Sequence, residues 1–99
     1  MVKKQVVWDE LARAALEEAY YYIKEDSVQQ AQKVRKEILT ATRKLAKHPE
    51  SHPPDKYRRD KDARFRAFEK YSYRISYFIA EDSIRILRFR HVKRQPEEY

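Results

Sequence analysis

Apolar side chains recur at three- and four-residue spacing along the first half of the chain, which is the period of a helix buried on one face. The first stripe consists of Ala12, Ala15, Leu16, Ala19, Tyr22 and Ile23. It predicts a helix that begins after Asp9, its N-cap, and ends near Lys24. Within the tyrosine run at positions 20–22, Tyr22 is expected to be buried and the rest to lie partly at the surface.

A second apolar stripe follows at once and ends near a proline. It consists of Ala31, Val34, Ile38, Ala41 and Leu45. Ser27 and Gln30 have the form of a capping box at its start. Pro49 would end this helix after His48, because proline lacks an amide hydrogen and restricts the residue before it. Neither stripe can be covered by the other helix alone, so we expect the helical hairpin to pack on a sheet.

Stretches rich in β-branched and aromatic residues predict the strands of that sheet. They are residues 2–8, residues 65–68, residues 71–79 and residues 84–91, with a turn at Glu81-Asp82 before the last. Residues 48–62 contain three prolines and many charges, which indicates a loop that leads into the sheet. The predicted fold is a small α+β domain with the order β-α-α-β-β-β and a mainly antiparallel sheet.

Composition narrows the class of protein. A chain of 99 residues forms one domain with a modest core. It has no cysteine, which excludes disulfides and thiolate metal sites and favours a reducing cytoplasm. No apolar run approaches the roughly 20 residues that cross a bilayer, so no membrane partner is expected. Glycine is also absent, and Asp62, Lys70 or Asp82 would have to adopt any left-handed turn conformation.

The positive charge is concentrated in the second half of the chain. Residues 1–55 contain 10 Lys/Arg and 9 Asp/Glu, whereas residues 56–94 contain 13 and 5, a net charge of +8. A solvated face with excess lysine would explain such a surplus. Here, however, arginine outnumbers lysine and alternates with aromatic residues, which favours a nucleic acid or another polyanion as the partner.

Strand alternation places one arginine away from the core. If Tyr73, Ile75 and Tyr77 face the core, Arg74 lies on the opposite face, where it would be available to a ligand. The alternative is an exposed ion pair between Arg74 and Glu69.

The arginines of the last strand do not follow a simple alternation. Arg85, Arg88 and Arg90 do not share one parity, which predicts a bulge or an edge position in this strand. The pattern does not predict which face of the sheet His91 occupies.

The segment YRISYFIAEDSIRILRFRHVKRQPEEY, preceded by two amphipathic helices, resembles the RelE/ParE superfamily of bacterial type II toxins. The opening strand with its tryptophan, the FRAF strand, the YRxxY strand and the closing HxxR extend the resemblance over nearly the whole chain. It implies a curved sheet against a helical pair and a toxin held inactive by a cognate antitoxin. Because the chain is basic, that antitoxin should carry an acidic segment that wraps the helices or covers the Arg74 face. An exposed tyrosine of the run at 20–22 could contact it.

The superfamily implies two possible activities. RelE-like members cleave messenger RNA in the ribosome, and the resemblance then assigns phosphate binding to Arg74 and Arg94, acid or base catalysis to His91, and a stacking or positioning role to Tyr99. Further phosphate contacts are expected from Arg64, Arg66, Arg88, Arg90 and Lys93. On this resemblance we predict a ribosome-dependent endoribonuclease that inhibits translation and needs neither metal nor cofactor. The alternative is the ParE-like activity, which inhibits DNA gyrase without cutting RNA, and the HxxR pattern occurs in both branches.

Two other functions are weaker alternatives. A non-enzymatic nucleic-acid-binding module fits the charge, but no helix-turn-helix signature is present. His48 and His52 have the spacing of helical zinc ligands, but Pro49 and Pro53 would break the helix that brings them together.

Overall fold

A computed structural model describes residues 4–93. Its elements are β1 (Gln5–Trp8), α1 (Glu10–Lys24), α2 (Val28–Lys44), β2 (Phe65–Lys70), β3 (Tyr73–Ile79) and β4 (Ser83–His91). The predicted order β-α-α-β-β-β is confirmed. The four strands form one mixed sheet in the order β1-β4-β3-β2, in which β1 is parallel to β4 and the other pairs are antiparallel.

The two helices cover one face of the sheet, and the core lies between these layers. Ala12 and Leu16 of α1 are buried, as are Ala31, Val34 and Ile38 of α2, on the predicted stripes. The sheet contributes a matching set of buried side chains: Tyr73, Ile75, Tyr77, Ile84, Ile86 and Phe89. The buried stripes of the two helices and the buried face of the sheet therefore form a single apolar cluster.

The helix ends follow the sequence signals in part. Ser27 caps α2 as predicted, because its hydroxyl accepts a hydrogen bond from the amide of Gln30 at 3.1 Å. Asp9 makes no side-chain hydrogen bond to the first turn of α1. Asp9 is nevertheless the N-cap residue that the sequence predicted, and its carboxylate forms an ion pair with Arg85 of β4 instead.

Helix α2 ends at Lys44, before the predicted end at His48. The amides of Leu45 and Ala46 bond to carbonyls three residues back, which tightens the final turn into 3₁₀ geometry. The turn buries both side chains and directs the Ala46 carbonyl toward the amide of Lys4, 3.3 Å away. Docking of the first strand, rather than Pro49, therefore sets the end of the helix.

Among residues 4–93, three adopt left-handed backbone conformations: Lys61 (φ 56°), Tyr71 (φ 53°) and Ser72 (φ 66°). The prediction of Asp62, Lys70 or Asp82 for this role is wrong. Tyr71 and Ser72 form the two-residue turn between β2 and β3, and such a hairpin needs two consecutive positive φ angles to match the twist of the strands. The third strand consequently begins at Tyr73 rather than at position 71.

The pairing of β3 with β4 shifts register between Ser76 and Tyr77. Leu87 is the extra residue on β4, so the predicted bulge is confirmed, although β4 is a central strand and not an edge. The bulge changes the parity of the strand, and Arg85, Arg88 and Arg90 thereby project from the same face.

No helix within residues 4–93 is long and apolar enough to cross a membrane.

Candidate nucleic-acid interface

Four arginines lie on the sheet surface that faces away from the helices, which we call the arginine face. Cross-strand partners project from the same side of a sheet. Arg74 is opposite Arg90, Ser76 is opposite Arg88, and Phe78 is opposite Arg85. The arginine face therefore consists of Arg74, Arg85, Arg88 and Arg90. It gathers cations from two neighbouring strands, as a surface for a polyanion requires.

Arg74 is held by two carboxylates. Its guanidinium lies 3.0 Å from Asp55 Oδ1 and 3.3 Å from Glu69 Oε2, and it stacks over the ring of Tyr57 at 4.7 Å. The side chain of Asp55 is fully buried. The alternative ion pair with Glu69 is therefore present, and the role of Arg74 in binding a ligand stays a prediction. Nothing in the sequence around Asp55 signalled the second, buried partner.

The loop that supplies Asp55 runs alongside β2 as an irregular extra strand. The Asp55 amide donates to the carbonyl of Phe65 at 2.7 Å, and Pro54 forms a bridge with Arg66. Arg66 is opposite Tyr77 and so lies on the helix side of the sheet. Its guanidinium donates to the carbonyls of His52 (2.8 Å) and Ala63 (2.9 Å). Arg66 thus ties both ends of this loop to the sheet.

Arginines also cover the aromatic rings of this surface. Phe65 and Phe78 pack together with their centroids 4.6 Å apart. Arg58 lies 3.4 Å above the ring of Phe65, and Arg64 lies 5.2 Å from that of Phe78. Stacking over a ring is favourable for a guanidinium. The result is a layer of guanidinium groups over an aromatic layer.

Aspartates of the loop orient two of these arginines. Asp60 binds Arg58, and the Asp62 carboxylate binds Arg64 at 2.7 Å. The hydrogen bonds from Arg64 lower the pKa of Asp62 to about 2, and those from Arg58 lower the pKa of Asp60. Both carboxylates are therefore charged at neutral pH.

His91 projects from the other side of the sheet. It is opposite Tyr73, whose ring it meets edge-on at 5.2 Å, and its Nδ1 accepts the amide of Lys93 at 3.1 Å. A cleft of about 620 Å³ opens here between α1 and the end of β4, and Tyr22 and Arg90 are among its lining residues. The structure therefore does not bring the side chains of His91 and Arg74 together.

The sequence matches the family described as the ParE toxin of the type II toxin-antitoxin system, parDE, over residues 6–96. The chain belongs to the ParE toxin family. A structure of the chromosomal ParDE toxin-antitoxin system from P. aeruginosa is similar to it with a TM-score of 0.71 and 19% sequence identity, covering 92% of this chain and 98% of that one. At this identity the likeness shows the fold alone. No curated protein matches the sequence significantly.

Two predicted site residues of this ParE-family chain, Arg94 and Tyr99, lie outside the described residues. Of the other predicted phosphate contacts, Arg64, Arg88 and Arg90 lie at or beside the arginine face, whereas Arg66 is bonded to the loop. Lys93 borders the His91 cleft. Among the described residues, Arg90 has no carboxylate partner.

The tyrosine run of the ParE-family chain is oriented differently from the prediction. Tyr22 is 73% exposed and Tyr21 60% exposed. Tyr20 is the partly buried member, packed beneath the guanidinium of Arg35 at 5.3 Å. Tyr20 and Tyr22 lie about 80° to either side of the buried stripe of α1. Helix α2 covers the Tyr20 side, which leaves Tyr22 beside the His91 cleft.

Residues 4–93 contain no cluster of three potential metal ligands. His48 is exposed. His52 stacks on Phe68 with centroids 4.4 Å apart, and burial lowers its pKa.

Proposed function

We propose that this ParE-family toxin acts by inhibiting DNA gyrase and does not itself cleave RNA. The observation that supports this proposal is the separation of Arg74 from His91 by the thickness of the sheet. Cleavage of RNA requires a proton acceptor and a stabiliser of phosphate charge around one reacting phosphate. Arg74 is also engaged by Asp55 and Glu69. Its arrangement suits a structural role better than a catalytic one.

A ribosome-dependent endoribonuclease is the second candidate, and the His91 cleft is the observation that favours it. His91 and Lys93 line this cleft together. They would supply an imidazole, which is a common general acid or base, and a cation. A nuclease site in this chain would therefore be organised around His91 rather than Arg74.

The cognate antitoxin is the partner that membership of a type II system implies. We propose that its acidic segment binds the helix side of the molecule, beside the His91 cleft. Leu11, Tyr21 and Tyr22 of α1 are exposed there, and Lys93 borders the cleft. Exposed aromatic residues beside a cation suit an amphipathic acidic segment.

Two assays separate the candidate activities, one in induced cells and one with purified gyrase. The chain is expressed under tight control, messenger 5′ ends are mapped, and purified gyrase is assayed for plasmid supercoiling in the presence of the chain. We expect intact messenger and inhibited supercoiling. Breaks at ribosome-positioned codons, abolished by His91→Ala and retained in the matched control His48→Ala, would instead establish the nuclease. Inhibition of neither target would contradict both proposals.

A further inference from the structure

The connection between α2 and β2, residues 45–64, is 20 residues long and contains no helix or strand. Connections of this length are uncommon in small domains and are usually functional. Its second half, residues 53–64, follows the edge of β2 and reaches over the arginine face. Lys56, Arg59, Lys61 and Arg64 of this segment are exposed. This segment, which is longer than a simple connection requires, thus carries four exposed cations.

The segment is anchored at defined points. The Asp55 carboxylate bonds to both Arg74 (3.0 Å) and the amide of Tyr57 (3.0 Å). The Lys61 ammonium donates to the Lys56 carbonyl at 3.2 Å, which closes the loop on itself. Since a cationic segment next to other cations would be repelled, the buried Asp55 supplies the charge that holds it there.

The repulsion within the arginine face itself is only partly compensated. Arg74 and Arg90 are direct cross-strand partners, and like charges in this position are destabilising. Asp55 and Glu69 neutralise Arg74, but in the described part of the chain Arg90 has no such partner. An anion bound beside Arg90 would therefore relieve an unfavourable interaction in the unbound protein.

We propose that residues 53–64 and the arginine face together form a binding surface for the phosphate backbone of double-stranded DNA, and that Asp55 is the residue that positions it. The proposal deepens the gyrase assignment, on which it rests for its biological setting, since gyrase acts on DNA. DNA binding by the chain alone can nevertheless succeed or fail independently of gyrase inhibition.

The aromatic residues favour a duplex over a single strand. Proteins bind single-stranded nucleic acids by stacking the unpaired bases on exposed rings. On this surface the rings of Tyr57, Phe65 and Phe78 are covered by arginine guanidinium groups. The surface therefore offers cations that can bind phosphates. None of these three rings is uncovered and able to stack on a base.

The test measures binding of a short fluorescent DNA duplex to the full chain by anisotropy at several KCl concentrations. We expect a micromolar affinity that falls steeply with salt, as phosphate contacts produce. Arg90→Gln should weaken binding about tenfold and reduce the salt slope by about one. The matched control Lys33→Gln, which removes an exposed cation from α2, should change affinity less than about twofold because it lies on the other side of the molecule. Equal losses in both variants would overturn the proposal.

The positioning role of Asp55 predicts that removing its negative charge weakens DNA binding, which is the opposite of the usual effect. Removing a negative charge from a cationic surface normally strengthens binding to a polyanion, and Asp60→Asn should do so. Asp55→Asn should instead weaken binding, because the segment loses its anchor. Stronger binding by Asp55→Asn would show that Asp55 competes with phosphate for Arg74 and would contradict the positioning role. If circular dichroism shows that Asp55→Asn does not fold, Lys56→Gln tests the segment directly. Unchanged DNA binding by Lys56→Gln would overturn the proposal that the segment contacts DNA.

A single-stranded RNA of the same length serves as the competing ligand. We expect it to bind more weakly than the duplex. Tighter binding of the RNA would contradict the argument from the covered rings and favour the nuclease candidate.

Discussion

Asp55 shows what a single residue contributes to this molecule. Its side chain is fully buried, and its charge is balanced by Arg74, which is 17% exposed. A buried ion pair is expensive to break because the remaining charge loses its compensation. Strand alternation predicted that Arg74 lies on the second face of the sheet, and its role toward a ligand stays a prediction. The actual partner comes from 19 residues earlier in the chain, and no local pattern relates the two.

The ion pair predicts a measurable cost in stability. Asp55→Asn should lower the free energy of unfolding by about 2–4 kcal/mol, since Arg74 retains Glu69 as a weaker partner. Denaturant unfolding measures the change. The control is Glu69→Gln, which removes the exposed partner and should cost less than about 1 kcal/mol. Similar losses in the two variants would contradict the assignment of Asp55 as the principal partner.

The partly buried histidine His52 gives a pH dependence of stability. Burial lowers the pKa of His52 below its ordinary value of 6.5, so the unfolded chain takes up the proton first as the pH falls. Its contribution to stability is therefore complete above about pH 6.5 and is lost as the pH falls toward the lowered pKa. We expect the free energy of unfolding to decrease on acidification from neutral pH to below 6. His52→Phe should reduce that decrease, whereas His48→Gln should leave it unchanged.

At the scale of elements, the sequence predicted most of what the backbone does. The periods of the two helices and of β3, the Ser27 cap and the irregular parity of β4 were all correct. Errors occurred where an element meets a neighbour that the sequence does not specify. The end of α2 depends on the docking of β1. Burial of Tyr20 rather than Tyr22 depends on which side of α1 is covered by α2. Roles at Arg94 and Tyr99 stay predictions.

Glycine, which this chain does not contain, should stabilise the turn between β2 and β3. Ser72 has a φ of 66°, which costs a residue with a Cβ atom roughly 1–2 kcal/mol. Ser72→Gly should stabilise the protein by about 0.5–1 kcal/mol, after allowance for the greater freedom of glycine in the unfolded chain. Thermal unfolding measures the gain. Ser51→Gly, at a position where φ is not positive, should give no gain, and a gain there would show that the effect is not conformational.

The bulge at Leu87 lets the arginines of β4 share one side of the sheet. Deleting Leu87 would remove the bulge, because Ile86 and Arg88 would then be consecutive and would still pair with Tyr77 and Ser76. Phe89 would stay on the core side, and Arg88 and Arg90 would stay on the arginine face. We expect the deletion variant to retain cooperative unfolding in calorimetry, as should Leu87→Ala, which keeps the bulge. Loss of cooperative unfolding in the deletion variant alone would show that the bulge itself, and not the alternation of β4, fixes the register.

At the scale of the whole molecule, the sheet separates two chemically different surfaces. The helix side has exposed aromatic residues and the His91 cleft, and the other side has the arginine face and the loop over it. Charge counting along the chain located the cations in the second half but could not assign them to a side. That assignment required the strand register, the bulge and the path of the loop.

The separation of the two surfaces has a consequence for mutational analysis. Substitutions on the arginine face should change DNA affinity while leaving binding to the cognate antitoxin intact. Tyr22→Ala should do the reverse, with little loss of stability because the side chain is 73% exposed. Co-purification with the antitoxin and the anisotropy assay measure the two properties. A loss of both properties in Lys56→Gln, a substitution in the loop over the arginine face, would place the antitoxin on that face instead.

The guanidinium layer over Phe65 and Phe78 also bears on the solubility of the protein. A sheet with helices on only one face leaves its other face to water, and here flat cations shield the rings that a second helical layer would otherwise cover. Lysine carries the same charge but cannot lie flat on a ring. Evolution could therefore exchange Arg58 or Arg64 for lysine without altering the net charge, yet the exchange would uncover aromatic surface and favour self-association.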